Sequence, residues 1–494
     1  MTVKRISLVC LAALLAACAT VSRPGGPVEP PVQPVAVFTV QVEPATAVVK
    51  VGGQEWATRP DGRIVEEFQP GQVFVVTARA DGFVPSDPVT VTMAAGAMPV
   101  LKIVLVPVPV RGPPVITISG RTFLADGKPW APAFVSALNI LGLAQAEQAA
   151  YLDWVKATGF DGVRVFAGEL RPWSPLTPAM ARANLPGLLD LLAKRGLAVE
   201  VTALTGTATG YDAKAHLTAV ADILAGRPGV LLELANEITN GTQDQAVTAA
   251  ANLRAWGQEI AQPRGLLWAI GATDTDEPCP AADAADRPEV CSGYQGGEYA
   301  AGGGSYSTAH LDRGRPTWNN VRRVREIFAI ADETGRPSFN NEPMGADELD
   351  GRQTGKQRWN DPALFFAMGA LDRAFSIGGV HHSEAGRYSV LPGPVQQQCA
   401  EAYLAGHRAV DAALGGQVGS YRNIGHQGSP VVGANLDEVI RAYSFIVGNV
   451  GVTVAVGMGQ NPAIQWGNGW PPGTETASMT GQDGRRAVVM TLRR

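Results

Sequence analysis

Between residues 114 and 415 one pattern recurs: a short, almost wholly apolar run, then a longer stretch with helical spacing. The runs are FVSALNI, GVRVF, AVEVTAL, VLLELANE, GLLWAIGA, YSTAH, PSFNNE and IGGVHHS. The stretches between them include AEQAAYLDWVKATG, AMARANLPGLLDLLAKRG, AKAHLTAVADILAG and VRRVREIFAIADETG. Strands that are apolar at nearly every position are buried on both faces, as parallel strands covered by helices are. Eight such strands, seven followed by a helix, predict an α/β fold of the (β/α)8 or TIM barrel type over 114–415. The misfit lies between the fifth and sixth strands, where Asp274 to Gly304 offers only a Gly-rich acidic loop. An open doubly wound sheet shows the same alternation. No Gly-rich phosphate fingerprint follows the first strand, which counts against it.

The flanks read differently. Residues 36–107 carry short alternating strands (VFTVQV, AVVKV, VFVVTARA, VTVTM, VLKIVLV) separated by Asp-Gly turns, the pattern of a small all-β sandwich. Residues 416–494 return to a β pattern, in RAYSFIVGNVGVTVAV and AVVMTL, and predict a small C-terminal β domain packed against the barrel. Residues 19–35 hold five prolines and form an extended linker.

Residues 1–18 begin with Lys4 and Arg5 and continue as an apolar run too short to span a bilayer, which is the layout of an export signal. Its end, Leu15-Ala16-Ala17-Cys18, resembles the lipobox of bacterial lipoproteins. That resemblance implies cleavage before Cys18, a lipid on its sulfur, and a membrane partner. Ala19 in the next position implies the outer membrane of a double-membraned bacterium. Of five cysteines, Cys10 leaves with the signal. Cys279 and Cys291 share one loop and, in an oxidising compartment, are expected to form a disulfide. Cys399 reads as a buried small hydrophobe. A net charge of −5 gives no footprint for nucleic acid, and no cofactor motif stands out.

Active sites of such barrels sit at the carboxyl ends of the strands. The fourth candidate ends in Asn236-Glu237 and the seventh in Asn341-Glu342. Two carboxylates on one rim suit glycosidic bond cleavage: one protonates the departing oxygen, the other attacks the anomeric carbon or activates water. Tyr306 and His310 are taken to close the sixth strand and His381-His382 the eighth. Successive strand residues face opposite ways, so only one of that pair, assigned as His382, should face the pocket. Trp173 and Trp318, placed just after strands two and six, are candidate platforms for sugar faces. Asp274 and Asp276, after strand five, either contact hydroxyls or solvate their loop.

This arrangement resembles the clan A glycoside hydrolases, a group that includes cellulases and β-mannanases, over roughly Ile116 to Leu414. The resemblance implies that Glu237 is the acid/base and Glu342 the nucleophile. It implies that Asn236 contacts the sugar 2-hydroxyl and that Arg164, in DGVRVF, supports the nucleophile. It further implies a retaining hydrolase of a β-linked oligo- or polysaccharide with no cofactor. The chain departs from the clan at strand eight, where GGVHHSEAG stands in place of a tryptophan. Two rivals stay open: a non-catalytic carbohydrate-binding lipoprotein, and a metal-dependent hydrolase using His310, His381, His382 and Glu384.

If Cys18 carries the lipid, a Cys18→Ser variant should move to the soluble fraction while the wild type stays with membranes. Equal solubility of the two would remove the anchor.

Overall fold

The computed structural model describes residues 35–80, 83, 85–106, 112–171, 174–238, 241–272, 304–310, 318, 321, 324–342, 345–346, 360–422, 441–458 and 473–493. The signal, most of the Pro-rich segment, Cys279, Cys291, Asp274, Asp276 and Trp173 lie outside them. Among the described residues no helix is long and apolar enough to cross a membrane.

Two compact units divide the chain, Met1–Pro109 and Val110–Arg494. In the first, two sheets share a core. Ala36–Glu43 pairs with Arg63–Phe68 and Leu101–Val104, while Val48–Val51 pairs with Gln54–Ala57 and Val73–Arg79. Ala36–Glu43 alternates strictly, burying Ala36, Phe38, Val40 and Val42 and leaving the residues between them more open. That period of two is what one buried face demands.

The second unit is built on eight parallel strands: β1 (Ala133–Ser136), β2 (Gly162–Phe166), β3 (Ala198–Leu204), β4 (Val230–Ala235), β5 (Leu267–Ala269), β6 (Ser307–His310), β7 (Ser338–Glu342) and β8 (Gly378–Ser383). Their hydrogen-bonded order is β5-β4-β3-β2-β1-β8-β7-β6, so β1 meets β8 and the sheet curls round on itself. At the remaining seam, between β5 and β6, no ladder is formed among the described residues, but the Ser305 amide donates to the Trp268 carbonyl at 2.6 Å. The expected barrel is therefore present, and its one irregular seam falls where the sequence lacked a helix.

Helices α1 (Gln145–Thr158), α2 (Pro178–Arg195), α3 (Ala213–Leu224), α4 (Ala250–Trp256), α5 (Val324–Thr334), α6 (Pro362–Phe375) and α7 (Pro394–Leu414) surround the strands. The starts of α2, α3 and α6 are set by side-chain caps: Thr177, Asp212 and Asp361 each accept from a backbone N–H of the first turn. Pro at the first position of α2 and α6 adds the fixed φ that a helix start favours. Val199, Val201 and Ala203 of β3 pack into the helix layer, so Glu200 and Thr202 between them point into the barrel. A three-stranded meander, Ile116–Ser119, Thr122–Ala125 and Lys128–Trp130, contributes Phe123 to the barrel floor, which also holds Phe134, Leu231, Tyr306, Phe339 and Val380.

The tail forms a five-stranded antiparallel sheet whose core is continuous with that of the barrel. It covers α6, in which every residue from Ala363 to Phe375 is buried. A helix buried all round needs cover on its outer side as well. Phe375 meets Tyr443 and Phe445 edge-on at centroid distances of 5.3 and 5.0 Å.

Phe445→Ala should cost about 3–5 kcal/mol, as deletion of a fully buried aromatic ring does. Because sheet and barrel share one core, the thermal transition of the Val110–Arg494 unit should move as a whole. A separate early transition, with the barrel's melt unmoved, would show the tail to be independent.

Candidate active site

The carboxyl ends of the strands converge on Arg164 of β2. Its guanidinium is fully buried, and a cation in that position must be surrounded by acceptors. Nη1 donates to Glu342 Oε1 at 2.7 Å. Nη2 donates to Glu233 Oε2 at 2.7 Å and to Asn236 Oδ1 at 2.9 Å. Nε lies 3.5 Å from Glu200 Oε2, with no hydrogen bond between them. Phe166 lies alongside, with the guanidinium carbon 4.9 Å from its ring centroid. Burial is the largest influence on Arg164 and works against its charge, but the three carboxylates outweigh it and hold the proton more firmly than usual.

One guanidinium faces three carboxylates in a dry interior, and that excess of negative charge must be relieved. Glu233 stays ionised: burial pushes its pKa upward, but Arg164, His310 and the Thr202 hydroxyl together hold it below the ordinary value. Thr202 Oγ1 donates to Glu233 at 2.6 Å and Asn341 Nδ2 at 2.8 Å. Glu200 takes the opposite course. Burial, followed by the charge of Glu233, pushes its pKa up to about 8, against the pull of Arg164. At neutral pH it therefore keeps a proton, with the Tyr306 hydroxyl 3.0 Å from its Oε1.

Two backbone irregularities aim the catalytic candidates. In β7 the pairing with β6 shifts after Ala309↔Asn340, so His310 faces Glu342 and Asn341 is the extra residue. Strict alternation after Phe339 and Asn341 turns Glu342 away from the interior. The bulge restores it, and both Asn341 and Glu342 reach the barrel network. At the end of β4, Glu237 has φ 40°, in the left-handed region that costs a non-glycine residue about 1–2 kcal/mol. Flanking amides fix the turn: Asn236 N donates to Leu204 O, and Ile238 N to Ala272 O.

Glu237, His310 and Glu342 thus meet at the rim. His310 Nδ1 is 3.6 Å from Glu237 Oε1 and 3.8 Å from Glu342 Oε2. One ligand atom from each of the three lies within 4.8 Å of the other two. The Glu342 side chain is only 6% exposed and that of Glu237 is 24% exposed, so Glu237 is the one open to the cleft. These three donors are also the set that could hold a cation.

The residues singled out in the sequence separate clearly. Arg164, Asn236, Glu237, His310 and Glu342 are brought together. His381 is not part of the rim: it sits in the helix layer against Phe160, Phe365 and Tyr403, and burial alone pushes its pKa down to about 3. The metal set that included it is not assembled. The pleat turns His382 the other way, and it is 5% exposed. Two assignments are corrected. Tyr306 precedes β6 rather than ending it, so it lies in the barrel floor against Phe123 and cannot touch a substrate at the rim. Trp318 is a buried core residue whose indole N–H donates to Asp483 at 2.8 Å, which leaves no free face for a sugar. Sequence reading missed Glu200 and Glu233. Their signal was available: a carboxylate flanked by apolar residues inside a strand must be buried and paired.

No protein-family model matches the chain, and no curated protein matches it. Among solved structures it is similar to a glycoside hydrolase family 5 structure from Bacteroides vulgatus, at 11% identity over 77% of this chain and 94% of that one, with a TM-score of 0.54. A second structure, described as a glycoside hydrolase, is 12% identical over 77% of this chain and 92% of that one, with a TM-score of 0.53. At such identities the likeness concerns the fold, and it agrees with the (β/α)8 barrel described above.

The proton on Glu200 has a measurable consequence. Its folded pKa of about 8 lies above the ordinary 4.5, so its contribution to stability is complete below about pH 4.5 and is lost as pH rises toward 8. Glu200→Gln, which mimics the protonated form, should flatten part of the fall in melting temperature across that window. An unchanged slope would mean that Glu200 is ionised throughout.

Proposed function

We propose that this chain is a retaining glycoside hydrolase with Glu342 as nucleophile and Glu237 as acid/base. The observation that carries the reading is the spacing of the two carboxylates on one rim, with an oxygen of each within 4.8 Å. Retaining enzymes keep their carboxyl groups about 5–5.5 Å apart, whereas inverting ones leave about 6.5–9.5 Å for a water. The short separation favours direct attack on the anomeric carbon.

Environment assigns the roles. Glu342 is hydrogen-bonded by Arg164 at 2.7 Å, which orients it for attack. Glu237 is the more exposed of the two, which suits a group that must exchange protons with the leaving oxygen and with water. In the first step Glu342 attacks the anomeric carbon, and the Glu237 proton passes to the departing oxygen. In the second, Glu237 takes a proton from water, which displaces Glu342 and releases the sugar with retained configuration. His310 Nδ1 lies within 4 Å of both carboxylates and helps to frame the site.

Preference for a β-linked oligo- or polysaccharide rests on the resemblance of the strand-four and strand-seven motifs to clan A. Export and anchoring through Cys18, on an envelope face, rest on the signal alone. A second reading follows from the Glu237–His310–Glu342 cluster, which could bind a divalent cation and serve a metal-dependent hydrolysis. The two diverge under chelation, which leaves double displacement untouched and abolishes metal-dependent turnover.

Glu342→Ala should lower turnover of an activated aryl β-glycoside by several orders of magnitude, with azide restoring it and giving a glycosyl azide of inverted configuration. Glu237→Ala should lose far less activity on dinitrophenyl glycosides than on substrates with poor leaving groups. If neither substitution affects hydrolysis, the assignment is wrong.

A further inference from the structure

An opening lies at the carboxyl ends of β2 and β3, with neither Glu237 nor Glu342 in its lining. It is a cleft of about 610 Å3 between the first turns of α2 and α3 and the segments that follow β2 and β3. Its volume falls within the range of about 300–1,000 Å3 usual for small-molecule sites.

The charges of this cleft are arranged unusually. Elsewhere in the helix ring, Arg195, Arg227 and Arg264 are each paired with an aspartate, at 2.8, 2.6 and 2.6 Å. Arg182, inside the cleft, has no carboxylate partner among the described residues. Its Nη1 donates instead to Nδ1 of His216, at 2.6 Å. His216 is buried, and its Nε2 lies 2.8 Å from the Ala167 carbonyl, which fixes the proton on Nε2 and leaves Nδ1 as the acceptor. The imidazole therefore orients the guanidinium without neutralising it. Burial and the Arg182 charge both push the His216 pKa down, to about 4.

The acids that share the cleft are already engaged. Glu169 is held in a fork by Arg171, at 2.9 and 2.8 Å, and Asp212 Oδ1 accepts from Ala215 N at the start of α3. The positive ends of α2 and α3 face the same opening. Tyr211 adds an aromatic ring to the wall, its hydroxyl tied to the Thr205 carbonyl at 2.8 Å.

We infer that this cleft is a subsite for an anionic sugar unit, bearing a carboxylate or a sulfate ester, with Arg182 as the residue that recognises the anion. A guanidinium held at one nitrogen by a neutral acceptor keeps its other N–H groups for the oxygens of a carboxylate or sulfate. Tyr211 supplies apolar area for the ring that carries it. The inference rests on the glycosidase reading and narrows it: the substrate is an acidic glycan, recognised away from the bond that is cut.

The test is equilibrium binding to the Glu237→Gln protein, which removes turnover from the measurement. The probes are gluco-, manno- and galacto-configured β-linked disaccharides, each as the uronate, the 6-sulfate and the neutral sugar, with inorganic sulfate as a control. At least one acidic sugar should bind about tenfold tighter than its neutral counterpart. Arg182→Gln should erase that difference, and Arg182→Lys should retain part of it. The stronger of the uronate and sulfate arms identifies the anion. Equal affinity of acidic and neutral sugars, no binding in any arm, or a difference that survives Arg182→Gln would overturn the inference. Inorganic sulfate binding as tightly as any sugar would do the same. Turnover of aryl glycosides by the wild type reports on the catalytic reading separately, so the two can fail independently.

Discussion

Everything at the rim depends on a cation that has no access to water. Arg164 is fully buried, and a lone guanidinium in that environment is prohibitively unfavourable. Four residues from three strands answer it: Glu200 from β3, Glu233 from β4, Asn236 just beyond β4, and Glu342 from β7. Removing one member of a buried ion pair costs about 3–5 kcal/mol, so the network constrains the barrel as well as its chemistry. The same bonds that satisfy Arg164 place Glu342 and its neighbour Asn236. Orientation of Glu342 is therefore a by-product of solving a solvation problem.

Much of this was legible in the chain and some was not, for definite reasons. The alternation of apolar runs and helical stretches exposed the barrel because strands buried on both faces leave little choice of residue. Glu237 and Glu342 stood out because a carboxylate after an apolar run marks a strand end. Tyr306 was misread through an error of a few residues in where β6 lies, and in a barrel that error exchanges floor for rim. Trp318 was misread because its partner, Asp483, lies 165 residues away in the sequence. The bulge that turns Glu342 inward leaves no trace in composition, since it is a matter of pairing between β6 and β7.

The tail illustrates the same limit from the side of packing. PALFFAMGALDRAF reads as a helix, and its apolar residues reach round every side. A helix of that kind cannot end the outer layer of a barrel. The five-stranded sheet supplies the missing cover, and Trp318 and Asp361 both bond to its Gly481–Arg486 turn. The tail, read from sequence as a β domain packed against the barrel, thus shares the barrel's own core.

The left-handed backbone at Glu237 bears on how such a chain persists through evolution. Asparagine and glycine adopt that conformation more comfortably than glutamate does. Replacements that relax the turn are thus favoured thermodynamically while they remove a carboxylate from the rim. A lineage drifting under selection for stability alone would be drawn toward silent versions of this barrel. Glutamate at this position therefore carries a small conformational cost, and a more stable chain without the carboxylate lies one substitution away.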